Sequence, residues 1–158
     1  FLTQKATELG VAKIWPVQSE FGQVTRVKEE RLRANIIEAA EQTERLDLPD
    51  VGAFIALRDV LSDWNPSRIL IVCDEAKADQ AQPHFNTELQ QKNTKKAAIL
   101  IGPEGGFSAE ERAFFNKQSY VVLVSLGPRI LRSDTAAIAA LSLFQAYCGD
   151  WYNHPHEA

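Results

Sequence analysis

Two glycine-bearing loops hold the residues best suited to chemistry. The first runs Ile101-Gly102-Pro103-Glu104-Gly105-Gly106-Phe107-Ser108, the second Leu126-Gly127-Pro128-Arg129-Ile130-Leu131-Arg132-Ser133-Asp134-Thr135-Ala136. Each follows a short apolar run, residues 97–100 and 120–124, and each leads into a helix-start signal. A strand that ends in glycines and then starts a helix exposes backbone N–H and C=O groups to a small ligand. Two such junctions close together in sequence suggest one site built from both. Neither fits the dinucleotide pattern G-x-G-x-x-G or the phosphate loop G-x-x-x-x-G-K-[ST], because the spacing differs and no Lys follows. The expected ligand is therefore a small molecule that those two motifs do not describe.

The elements that must position these loops alternate. Residues 12–17 read as a short strand in which Pro16 argues for an edge or an early end. Residues 29–46 read as a helix with Leu32, Ile36, Ile37, Ala39 and Ala40 on its apolar face, stopping before Pro49. A short helix is expected over 58–64, a buried strand over 68–73, a helix over 82–91 and a basic linker over 92–96. Residues 97–101 form a strand. A helix over 108–117 follows, with Ser108 as N-cap and Glu111 at the capping-box position. A strand over 120–126 then precedes a long helix over 133–148 that Gly149 ends. Strands alternating with helices imply an α/β fold with a mostly parallel sheet flanked by helices. The last helix carries Ala136, Ala137, Ile138, Ala139, Ala140, Leu141, Leu143, Phe144 and Tyr147, which leaves little polar surface. A helix apolar on nearly all sides must be covered on both, and the second cover is expected to be another subunit.

Composition excludes several classes. Hydrophobic residues make up 45% and charged residues 24% of the 158, ordinary values for one globular domain. No apolar run reaches the roughly 18 residues of a membrane span, and no leader resembles a signal peptide. Cys73 and Cys148 lie in apolar patterns and read as reduced packing residues, while His84, His154 and His156 lack ligand spacing, so no metal is expected. A cytoplasmic, membrane-free protein follows as the expectation. The chain opens at Phe1, contains no methionine, and begins with what reads as a helix tail closed by Gly10. It is expected to be part of a longer polypeptide.

At this point the residues match a family. The two loops, with Lys5-Ala6-Thr7-Glu8-Leu9-Gly10-Val11 and Glu38-Ala39-Ala40-Glu41-Gln42-Thr43-Glu44-Arg45, resemble the RsmE family. These are the 16S ribosomal RNA uridine N3-methyltransferases of the SPOUT superfamily. The resemblance covers residues 1 to about 149, and its four motifs in order are more specific than one glycine-rich loop. It implies a SPOUT methyltransferase domain over 1–150, a polar C-terminal tail over 151–158, and an N-terminal PUA-like RNA-binding domain that is not in this chain. It also implies a C-terminal deep trefoil knot, S-adenosylmethionine as methyl donor, a homodimer, and 16S ribosomal RNA of the small subunit as partner. Sequence physics alone would not propose a knot, because chain connections almost never thread. Asp134 stands where many relatives carry Glu, and Ser133 where Thr is common; both keep the chemistry.

Within that resemblance each residue has a chemical reading beside a plain one. Gly102, Gly105 and Gly106, with Pro103 stiffening the turn, would let the backbone approach the cofactor and adopt positive φ. Leu126, Gly127, Ile130 and Leu131 would supply apolar walls and backbone hydrogen bonds to adenine. Glu104 would contact the ribose or the methionine amine, or merely cap the following turn. Cys73, Asp74 and Glu75 end the strand before and would border the pocket. Asp134 reads as the N-cap of the last helix, and with Arg132 it forms the catalytic pair. Arg132 would contact RNA phosphate or stabilise the uridinate as N3 loses its proton, and Asp134 and Glu104 are the nearest carboxylates to serve as base. Glu8 sits unfavourably at a helix end, and Arg45 favourably, with RNA contact as its alternative. The 17 basic against 21 acidic residues are not the footprint of a nucleic-acid binder. RNA affinity would rest on Arg26, Lys28, Arg31 and Arg33, on Lys92, Lys95 and Lys96, and on Arg129 with Arg132. The rival readings are another nucleotide-using α/β enzyme and a non-catalytic RNA-docking or dimerisation module.

Overall fold

The computed structural model describes residues 1–74 and 96–153. The expected helix over 82–91, most of the basic linker, Glu75, and the three histidines lie outside the described residues.

The core sheet is parallel and three-stranded. Strand β5 (Ile69–Cys73) lies between β6 (Ala97–Ile101) and β7 (Val121–Val124). A central parallel strand is covered on both faces, which is why β5 reads as an unbroken apolar run. Its alternate residues part cleanly between two clusters. Leu70 and Val72 pack with Leu57, Leu61, Phe107 and Phe115, whereas Ile71 and Cys73 pack with Val122, Val124 and Ala140. The first face is thus covered by α3 (Leu57–Ser62) and α4 (Ala109–Lys117), the second by α5 (Ser133–Tyr147). A short α6 (Asp150–Asn153) follows.

The N-terminal part differs from expectation in detail. Pro16 breaks residues 12–17 into two short strands, β1 (Lys13–Ile14) and β2 (Val17–Gln18). They pair in parallel with β3 (Asp50–Val51) and β4 (Ile55–Ala56), neither of which the sequence signalled. Helix α2 (Glu29–Gln42) stops well before Pro49. Thr43 Oγ1 donates to the Ala39 carbonyl, Glu44 turns left-handed at φ 55°, and the Arg45 N–H returns to the Ala40 carbonyl. That return satisfies the Ala40 carbonyl while the chain turns away at Glu44, so the helix ends without needing a proline. Ile37, placed on the apolar face from sequence, is 45% exposed.

Helix α1 (Leu2–Glu8) ends as its residues dictate. Gly10 adopts φ 83° and donates to the Thr7 carbonyl, and the Val11 N–H reaches the Ala6 carbonyl. Those two bonds make a Schellman closure. The C-terminal helix corrects one reading. Its N-cap is Arg132, and Asp134 sits inside the first turn with its Oδ1 accepting the Thr135 N–H at 2.8 Å. A carboxylate there still favours the helix through the macrodipole, but it does not cap it. Among the described residues no helix is long and apolar enough to cross a membrane.

Candidate functional site

The strand register sets the site. Cys73 of β5 stands level with Ile101 of β6 and Val124 of β7, so all three strands end at one edge. The two glycine-bearing loops leave from that edge, which is where open parallel sheets receive ligands. Between them lies a shallow, open cleft of about 510 Å³, a volume that counts the solvent in its mouth. Its floor is Cys73 and Asp74; one wall is Gly102, Pro103, Gly106 and Phe107. Ser125, Leu126, Gly127, Arg129 and Leu131 form the other, closed by Ser133 and Ala136 of α5.

The sequence-derived site residues divide on this geometry. Gly102, Pro103, Leu126, Gly127 and Leu131 line the cleft, as do Cys73 and Asp74. Glu104, Gly105 and Ile130 lie outside the lining, with Glu104 and Gly105 exposed and Ile130 80% exposed. Arg132 and Asp134 do not line it either. Arg132 is exposed between two residues that do, Leu131 and Ser133. Phe107, Ser125 and Ala136 were not singled out from sequence, because an apolar or small residue near a turn carries no signal of its own.

The glycines act for different reasons. A Cβ on Gly102 would stand 3.0 Å from the Phe107 ring, so that glycine makes room for core packing. Gly127 holds φ 110°, a conformation open mainly to glycine, and a Cβ there would meet nothing within 4 Å. It faces open space beside the cleft. Gly106, at φ 69°, closes a turn by donating to the Pro103 carbonyl at 2.8 Å.

Charge in the cleft is sparse and held in place. Asp74 is 2% exposed and receives a two-pronged ion pair from Arg112 of α4, Nε to Oδ2 at 2.7 Å and Nη2 to Oδ1 at 3.1 Å. Burial pushes the Cys73 thiol up to about 12, so it stays protonated at neutral pH and serves as packing. Among the described residues there is no cluster of His, Cys, Asp and Glu that could hold a metal. Such a cleft can bind a flat, mostly apolar ligand through backbone groups and orient it.

The other two motifs form a structural junction outside the cleft lining. Arg45 is 14% exposed in its side chain; it donates to the Thr7 and Val11 carbonyls at 2.8 Å and pairs with Asp47. It therefore serves a helix C-terminus, as its charge suggested, but that of α1 rather than its own. Glu8 is exposed and paired with Lys5. Gln145 of α5, missed from sequence, is buried and ties the same corner by donating to the Leu9 carbonyl at 2.7 Å.

Comparison with known proteins agrees with this geometry. The family described as RNA methyltransferase domain matches residues 1–145. A ribosomal RNA small subunit methyltransferase E from Rickettsia conorii is 34% identical over 137 residues, 87% of this chain and 54% of that protein. The Bacillus subtilis protein of the same name is 33% identical, over 90% of this chain and 58% of its own length. Among solved structures, ribosomal RNA small subunit methyltransferase E from Neisseria gonorrhoeae bound to S-adenosyl methionine superposes with a TM-score of 0.75 at 30% identity. That match covers 92% of this chain and 59% of the other. A Legionella pneumophila protein solved with bound SAM gives 0.76 at 33% identity, over 94% and 60%. The chain thus spans a little over half the length of these relatives. By sequence along residues 1–145 and by the fold around the cleft, the chain belongs to the RNA methyltransferase domain family, grouped with the ribosomal RNA small subunit methyltransferases E.

Proposed function

We propose that this chain transfers a methyl group from S-adenosylmethionine to N3 of a uridine in 16S ribosomal RNA. The observation that carries the reading is the cleft at the level strand ends, whose fold matches relatives solved with that cofactor. The residues fit the group. Leu126 and Leu131 offer apolar faces to a flat ring, the loop backbone offers hydrogen bonds, and Gly127 leaves space that a side chain would fill. Gly102 and Pro103 hold the opposite wall, and Glu104, Gly105 and Ile130 lie outside it, where loop movement would be needed for contact.

When bound, the cofactor supplies an electrophilic methyl group with a neutral leaving group. The chain's own contribution is alignment, which can be worth roughly 7–11 kcal/mol. The uridine must also lose its N3 proton, and a positioned base typically contributes about 10²–10⁴-fold. A guanidinium has no acceptor and cannot take it. Arg132, exposed at the cleft's edge, instead offsets the charge that develops on the uracil. Asp134 is the half-buried carboxylate beside it; Oδ1 is held by Thr135, and Oδ2 has no partner among the described residues. Asp134 is therefore the base in this reading, with Glu104, exposed on the opposite loop, as the alternative. RNA phosphates would be met by Arg26, Lys28, Arg31 and Arg129, since a net charge of −4 leaves recognition to local clusters.

The reading includes a homodimer across α5, where Ile138 and Leu141 remain part-exposed, and a deep trefoil knot in the C-terminal segment. Its direct test is calorimetric titration of S-adenosylmethionine into the protein and into Gly127→Val. The parent should bind, and the variant, its slot filled, should lose affinity by at least about tenfold, a factor that corresponds to about 1.4 kcal/mol. Unchanged affinity in a folded variant would remove the assignment.

A further inference from the structure

We infer that the Asp74–Arg112 ion pair is a positioning device, which holds the first glycine-bearing loop in its cleft-lining shape. The inference rests on the cleft being the cofactor site. Asp74 is the residue that follows β5, and its side chain, 1% exposed, forms part of the cleft floor. Arg112 reaches it from the first turn of α4. The chain path between them gives the pair its effect. Loop 102–108 begins where β6 is fixed to β5 by the Cys73–Ile101 register, and it ends where α4 begins. The ion pair ties that far end back to β5, so both ends of the loop are anchored to the same strand.

The neighbouring residue strengthens the anchor. Glu111 Oε2 accepts the Ser108 N–H at 2.9 Å, and its Oε1 accepts the Glu20 N–H at 3.0 Å. Phe21, next to Glu20, stands where a Cβ on Gly105 would lie 3.3 Å away. Two successive side chains of α4 thus tie the loop's exit to two separate segments, Glu20 and Asp74. Stability alone does not account for the pair's chemistry, because a well-packed apolar couple of similar volume is often as stable as a buried ion pair. A planar fork on a carboxylate fixes orientation as well as distance, which a point charge cannot do. Orientation is what a wall built from backbone groups requires.

The test compares the parent with Asp74→Asn/Arg112→Met, which removes both charges, and with Arg112→Lys, which keeps a charge without the fork. Three quantities are read: thermal melting, amide hydrogen exchange of residues 102–108, and S-adenosylmethionine affinity. A positioning role predicts that both variants fold, that loop exchange speeds up at least about tenfold, and that affinity falls by a similar factor. Melting should stay near that of the parent in at least Arg112→Lys. Either folded variant with parental loop exchange and parental affinity would overturn the inference and leave the pair a stabilising contact. Should the parent itself fail to bind S-adenosylmethionine, the cofactor reading falls, while loop exchange in the two variants still decides the role of the pair.

Discussion

Loops 102–108 and 125–132 leave the sheet at the same level and face each other across the cleft, yet they are held in opposite ways. In the first, Gly106, Phe107 and Ser108 are buried, the Phe107 ring meets Phe115 edge-on at 5.1 Å between centroids, and a capping box locks the exit. In the second, Pro128, Arg129, Ile130 and Arg132 are exposed, and the side-chain bonds among the described residues are those of Ser125 with Gly127, at 3.2 and 3.3 Å. Core packing, the capping box and the Asp74–Arg112 pair together hold the first loop, except at its exposed tip, Glu104 and Gly105. The second has Leu126, Gly127 and Leu131 on the cleft wall but Pro128 and Ile130 exposed to solvent, so less packing holds its shape. A firmly held wall facing a looser one would suit the proposed function, in which the site admits a cofactor and then a much larger substrate.

Phe107→Ala should be the harshest way to break this contrast. The side chain is 1% exposed, and removing a buried phenylalanine costs about 3–5 kcal/mol. Chemical denaturation should show that loss, with Gly102 and its wall released as the ring disappears. A loss under about 1 kcal/mol would mean that the first loop is not part of the core.

A smaller effect is expected at the exit of the same loop. Ser108→Ala removes the Oγ that accepts the Glu111 N–H at 3.1 Å, and losing such a cap costs about 1 kcal/mol. Urea unfolding would measure it. A neutral result would show that Glu111 and Arg112 hold the helix start without the box.

The least should happen in the second loop. Ile130→Ser exchanges a side chain that is 80% exposed, and surface changes of this kind stay within about 0.5 kcal/mol. Equilibrium unfolding of the unliganded protein should therefore be unaltered. A loss above that range would show that the second loop is packed as firmly as the first, and the contrast between the two would disappear.

Much of this was legible before any coordinates. Residues 97–101 and 68–73 announce themselves as strands through continuous apolar runs, and Ser108 with Glu111 announces the start of α4, because these signals are local. Errors fell where a distant contact overrides a local rule. Asp134 looks like a cap, yet the N-cap is Arg132, two residues earlier, and the helix begins at Ser133. Residues 43–46 look helical by pattern, but Arg45 is drawn away to the carbonyls of α1, and the chain turns at Glu44 to allow it. Strands β3 and β4 are two residues long and depend on β1 and β2 for their existence.

By itself the sequence determined the family, the alternation of strand and helix, and the two loops that meet at the cleft, because glycine placement, apolar period and capping residues act over a few positions. Only the tertiary structure decided which loop residues face the cleft and which face solvent. It also decided that Gly102 serves Phe107 while Gly127 borders open space, and that Asp74 is bound by a residue 38 positions away. Those facts depend on the level strand ends and on helices packed across them. Distances between groups far apart in sequence follow from register and packing, which no local pattern of residue types contains.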